Sequence, residues 1–145
     1  MPARYFDDVQ IGDELEEHSA PGREDVLQFF TATSGAGRMD PDGIFASEEA
    51  ARRVGAEGPM VPGGMSFALI SRLVTDWAGM EGRLDSLDIS FRRPIVHGDG
   101  LRLVALVTDT DPAAASVKLD VYMENARGER PLQGTAVVTL PRRGP

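Results

Sequence analysis

Four stretches in the second half of the chain place apolar residues at every second position, and nothing else in the sequence constrains the fold as much. Leu87, Ile89 and Phe91 share one face. Leu101, Leu103, Ala105 and Val107 form a second run, Val117, Leu119, Val121 and Met123 a third, and Ala136, Val138 and Leu140 a fourth. A period of two is that of an extended strand with one buried face. Gly98-Asp99-Gly100, residues 109–114 and Asn125-Ala126-Arg127-Gly128 separate the runs with turn-forming residues. Consecutive strands with short connections predict an antiparallel sheet, and residues 11–18 offer a fifth strand.

The first half reads as helices and loops. Residues 20–35 put Val26, Leu27, Phe30 and Thr31 on one helical face, with Gly35 available as a left-handed stop. Residues 36–45 form an irregular loop, because Gly37, Asp40-Pro41 and Asp42-Gly43 favour turns and Pro41 pushes Asp40 out of the helical region. Ser47 suits the N-cap of a short helix over residues 48–54, with Glu48 and Glu49 in its first turn. A stiff loop, residues 58–64, leads into residues 65–77. There Phe67, Leu69, Ile70, Leu73, Val74 and Trp77 cover most of the helix circumference and predict a helix surrounded by protein. The expected class is α+β, one domain over residues 1–145 whose antiparallel sheet wraps a central apolar helix.

Composition narrows the functions. Cysteine is absent, which excludes disulfides, thiolate metal sites and a cysteine nucleophile. His18 and His97 lie far apart, so no metal and no redox cofactor is expected. The formal net charge is -8 and the arginines are scattered, which argues against nucleic acid as a partner. No apolar run reaches the ~18–20 residues of a membrane span. The N-terminal residues lack the basic and apolar regions of a signal peptide, so a cytoplasmic location is expected.

YFDDVQIGDELEE at the start, PMVPGGMSFALISRLV before and within the apolar helix, DISFRRPIVHGDGLRLVALVTD and NARGERPLQGTAVVTLP follow one another along the chain. In this order they resemble the MaoC-like (R)-specific enoyl-thioester hydratases and dehydratases, which have the hot-dog fold. The resemblance spans nearly the whole chain. It implies a single hot-dog domain, strands paired around the Pro-then-Gly-Asp turn, an acyl-thioester ligand carried on coenzyme A or a carrier protein, and hydro-lyase chemistry if the chain is active. It also implies a homodimer, or a heterodimer with another hot-dog subunit.

Hydration of an enoyl thioester needs a water held for attack on the β-carbon, a proton for the α-carbon, and a donor for the developing enolate oxygen. The family places an Asp and a His in a G-D-x-N-P-x-H loop to hold the water. The corresponding loop here reads SGAGRMDPDGIFASEEAA. Matching Gly35 to the motif's Gly puts Ala36 at the Asp position, and matching Asp40-Pro41 to Asn-Pro puts Phe45 at the His position. The family's dyad is therefore missing. The helix-start glycine is kept: Gly63 falls on the position whose N–H polarises the thioester carbonyl, with Pro62 where a His is common.

Several side chains compete for roles. Asp40 and Asp42 are candidate substitute bases, or turn formers facing water. Gly63 is a candidate carbonyl donor, or, with Gly64, simply a means of making a tight turn. Phe45, Met60, Gly64 and Met65 are the expected substrate-binding residues, within a strip of Phe29, Phe30, Phe45, Met60, Met65 and Phe67 that would suit an acyl tunnel or plain core. His97 stands at a strand-end turn and His18 at a solvated strand end. Asp76, Glu48 or Glu49 would serve a thioesterase, the less favoured chemistry. Arg38, Arg52, Arg53, Arg92 and Arg93 are all candidates for the phosphates of coenzyme A. The expected function is thioester binding together with a partner subunit; the alternatives are an active hydratase rebuilt on residues 36–45 and a ligand-binding module without chemistry.

Overall fold

In the computed structural model, which describes residues 3–33 and 39–144, the alternating runs become strands β2 (Arg83–Phe91), β3 (Leu101–Asp111), β4 (Ser116–Glu124) and β5 (Leu132–Thr139). The expected fifth strand is β1 (Glu14–Ser19), and the helices are α1 (Arg23–Thr33), α2 (Glu48–Arg53) and α3 (Gly63–Ala78). Ser47 caps α2 as its sequence suggests, its hydroxyl accepting the Ala50 N–H at 3.1 Å. All five strands join one antiparallel sheet in the order β1-β3-β4-β5-β2.

That order corrects one expectation. β2 and β3 are not paired around the Gly98-Asp99-Gly100 turn; β2 crosses the sheet to pair with β5, from Arg83↔Thr139 to Phe91↔Leu132. The free edge of β3 is already taken by β1, from Glu14↔Leu106 to Ser19↔Leu101. Residues 92–100 therefore form a crossover, held by other backbone groups. The Arg92 N–H donates to the Pro131 carbonyl at 2.7 Å, the Val61 N–H to Ile95 at 2.7 Å, and the His97 N–H to Pro59 at 2.9 Å. This stitching fixes the crossover beside the loop that leads into α3.

The core lies between α3 and the inward face of the sheet, where Ile70, Leu73, Val74 and Trp77 meet Leu103, Val107, Leu119, Val121, Met123, Leu132 and Val138. Each large aliphatic side chain buried there contributes roughly 1.5–3 kcal/mol. The helix is not surrounded, however. Gly63, Gly64, Ala68 and Arg72 are exposed, and Phe67 keeps 42% of its surface, because one sheet covers only one side of a cylinder. Phe91 also departs from its expected place: Leu87 and Ile89 are half-buried, but Phe91 at the strand end is 53% exposed. The C-terminal turn of α3 is closed by Arg4, whose Nε–H donates to the Trp77 carbonyl at 2.5 Å while the guanidinium lies 4.6 Å from the indole centre. No helix among the described residues is long and apolar enough to cross a membrane.

In the pair of β5 with β2, Gly134 lies opposite Ile89. A Cβ there would lie 2.9 Å from the Ile89 Cα and inside contact distance of the Asp88 carbonyl oxygen. Farther along the same pair, Asp85 accepts from the Thr139 hydroxyl at 2.5 Å and from Arg83 Nε at 2.6 Å. The Thr139 hydroxyl, foremost, and Arg83 hold the Asp85 carboxyl below its ordinary pKa.

Candidate functional site

The chemistry available to this chain is concentrated where α3 begins. Pro62 occupies the N-cap with no side-chain bond to the helix, and its carbonyl accepts the N–H groups of Met65 at 3.0 Å and Ser66 at 3.2 Å. The N–H groups of a helix's first turn have no intrahelical acceptor, and they carry the positive end of the helix dipole. Here they border a cavity of about 330 Å³ lined by Met60, Val61, Gly63, Ser66 and the stretch from Phe91 to Ile95. Another depression, of about 540 Å³, lies at the strand ends around His18, Leu101 and Asn125. It lacks a helix start, and its histidine is tied up 2.9 Å from Glu16 on the surface.

The two glycines at this helix start are not there for a turn. Neither has a positive φ; among the described residues the glycines that do are Gly12, Gly55, Gly79, Gly98 and Gly128. A Cβ on Gly63 would stand 3.4 Å from the Phe91 ring, and one on Gly64 3.4 Å from the Phe29 ring, which is ordinary contact. Glycine in a helix costs up to about 1 kcal/mol relative to alanine. Gly63→Ala and Gly64→Ala are therefore expected to leave the melting temperature unchanged or raise it by a few degrees. A fall in thermal unfolding experiments would restore the tight-turn explanation. What glycine gives this helix start is an uncovered backbone beside the cavity.

The other expected site residues divide. Met60 lines the cavity with Gly63, and its N–H donates to the Ile44 carbonyl at 2.8 Å, tying the wall to the loop before α2. Met65 is buried in the core and Gly64 is exposed, and neither lines the cavity. Phe45 is half-buried with its ring centre 5.5 Å from that of Phe30, and does not line the cavity either. Asp40 and Asp42 are exposed, and the Asp40 carboxylate accepts the Asp42 N–H at 3.0 Å, closing a local turn. Gly35, Ala36 and Arg38 lie outside the described residues. His97 is half-buried, with Nε2 3.2 Å from the Met60 carbonyl, so its ring braces the wall. Asp76 is exposed near the other end of α3.

The arginines can now be told apart. Arg52 and Arg53 each pair at 2.5 Å with the glutamate four residues earlier, Glu48 and Glu49. Arg93 pairs with Glu129 at 3.0 Å. Glu129 also accepts from Asn125 Nδ2 at 3.0 Å and Arg127 Nε at 2.9 Å, and the Asn125 bond, foremost, holds its carboxyl below the ordinary pKa. This network fastens the β4–β5 hairpin to the crossover. Arg92 lines the cavity and makes no ion pair among the described residues.

Ser66 was not anticipated. It is the one polar residue buried among the described residues, 1% exposed, and it lines the cavity one helical turn beyond Gly63. A single hydroxyl within the apolar run MSFALI, three positions after Gly63, was the available signal. The period-two alternation puts Phe91 on the face of Leu87 and Ile89, and its place in the cavity wall depends on where β2 ends.

A five-stranded antiparallel sheet packed on one central helix, with the helix start opening to a cavity, defines a hot-dog domain. In fold the chain is of the kind found in (R)-hydratases and MaoC-like dehydratases. It is similar to the unliganded (R)-hydratase PhaJ1 of Pseudomonas aeruginosa, with a TM-score of 0.80 and 23% identity over 96% of this chain and 86% of that one. The ChsH1-ChsH2 complex of Mycobacterium tuberculosis gives 0.76 and 19% identity over 90% of this chain and 98% of that one. The MaoC-like dehydratase of Rhodospirillum rubrum gives 0.71 and 22% over 99% and 100%. No family model and no curated protein sequence matches the chain.

Proposed function

We propose that this chain binds acyl thioesters at the start of α3 and works with a second hot-dog subunit, which supplies the Asp and His missing from its own 36–45 loop. The observation that carries this reading is the uncovered Gly63 backbone beside a cavity rimmed by Arg92, a cation with no ion pair among the described residues. A thioester carbonyl suits the first-turn N–H groups, and the phosphates of a pantetheine carrier suit a cation at the rim. β2 is an edge strand of the sheet, with one side of its backbone unpaired and able to accept a neighbouring strand. That one similar structure is a complex of two differently named chains favours a partner of the same fold. A cytoplasmic setting belongs to the same proposal.

The test is calorimetric titration of the purified chain with acyl-CoA. Saturable binding is expected, and Arg92→Glu should weaken it at least tenfold at low ionic strength, with the difference shrinking as salt is added. Absence of any thioester binding would overturn the reading. Equal binding by wild type and Arg92→Glu would remove the phosphate role from Arg92.

A further inference from the structure

Every wholly occluded side-chain nitrogen and oxygen among the described residues has a hydrogen-bond partner. Ser66 is 1% exposed, yet its hydroxyl makes no hydrogen bond among them. The little surface that it retains must therefore include its oxygen, and the cavity at the helix start is the open space it lines. A serine inside a helix commonly satisfies its hydroxyl on the carbonyl four residues back. Here that carbonyl, of Pro62, already accepts the N–H groups of Met65 and Ser66. Helical side chains lean toward the N-terminus, so from position 66 the hydroxyl leans over the turn that begins at Gly63. With no acceptor among the described residues, the hydroxyl is open to water in the free state and available to an acceptor on a ligand that enters the cavity.

We infer that the Ser66 hydroxyl donates a hydrogen bond to the carbonyl oxygen of the bound thioester, beside the Gly63 N–H. This rests on the thioester reading of the site and adds to it a specific donor. It makes the carbonyl, rather than the acyl chain alone, a group the cavity selects for. Two donors converging on one oxygen hold the thioester plane in a fixed direction; one backbone N–H leaves it free to swing.

The probes are butyryl-CoA and S-butyl-CoA, the thioether in which a methylene replaces the carbonyl. Both are titrated into wild type and Ser66→Ala. Wild type is expected to prefer the thioester, and Ser66→Ala to weaken butyryl-CoA about tenfold while leaving S-butyl-CoA unchanged. The carbonyl stretch of carbon-13-labelled butyryl-CoA should move to higher frequency in the variant, which a merely structural serine would not cause. Its melting temperature should hold or rise, since alanine favours the helix and no internal bond is lost. Equal thioester preference and carbonyl frequency in both proteins would overturn the role of Ser66 and leave thioester binding standing. Failure of wild type to bind either probe would overturn the underlying reading, and the Ser66 proposal with it.

Discussion

Purified alone, the chain is expected to hydrate short, long and polycyclic enoyl-CoA thioesters at least about 10⁴-fold below ordinary enzyme rates of ~1–10³ s⁻¹. The reason lies in one loop. A positioned acid or base contributes ~10²–10⁴-fold, and the resemblance puts Ala36 and Phe45 where the family has its Asp and His. Phe45 brings no proton to trade; its ring rests against Phe30. Asp40 is occupied in its own turn with the Asp42 N–H and faces water. On the proposed reading this chain contributes binding and carbonyl polarisation, which by themselves give weak catalysis. Asp40→Asn and Asp42→Asn are the controls, and neither is expected to change the residual rate. An ordinary rate in wild type, abolished by either substitution, would sink the partner proposal and name the base of a rebuilt site. Mixing with a hot-dog subunit that carries an intact Asp and His should raise the rate by the missing orders of magnitude.

Gly134→Ala should be the most damaging glycine-to-alanine change among the described residues. The new Cβ would occupy space held by the Asp88 carbonyl and stand 2.9 Å from the Ile89 Cα, both backbone of β2 that cannot rotate out of the way. Overpacking against soft side chains costs ~1–3 kcal/mol, and against a strand backbone the cost includes the pairing itself. A loss on the order of 3 kcal/mol or more, roughly 10 °C in melting temperature, is expected. The effect reaches the site, because β2 delivers Phe91, Arg92 and Arg93 to the cavity wall. Thermal unfolding with hydrogen exchange on residues 83–91 checks this: β2 amides should lose protection before those of β3 and β4. A melting temperature within a degree or two of wild type would show that β2 can shift away from β5 without loss.

Much of this architecture follows from the linear order of residues. Alternation at period two specified β2 to β5, and Ser47 with Glu48 and Glu49 specified a capped α2, because these signals involve only groups a few bonds apart. The resemblance put Gly63 at the start of the central helix by spacing alone, and α3 begins there. Long-range choices were not legible in this way. That β2 pairs with β5 and not β3 depends on β1 claiming the other edge, a competition between segments some ninety residues apart, of the order that chain topology and not local preference decides.

The same holds at the site. Of the four candidate arginines among the described residues, Arg52 and Arg53 pair within α2 and Arg93 pairs with Glu129 of the hairpin, which leaves Arg92 at the cavity with no ion pair among those residues. The pair Gly63-Gly64 read equally well as turn or as ligand site until the backbone showed ordinary φ angles and room for a methyl group. Ser66 looked like one more helix residue, and only the packing of α3 against the sheet made it a buried hydroxyl facing an open space. The sequence alone thus determined the elements, since they are written in local residue type and spacing. Tertiary structure decided which polar groups are left without partners, since that depends on what every other segment brings within hydrogen-bonding distance.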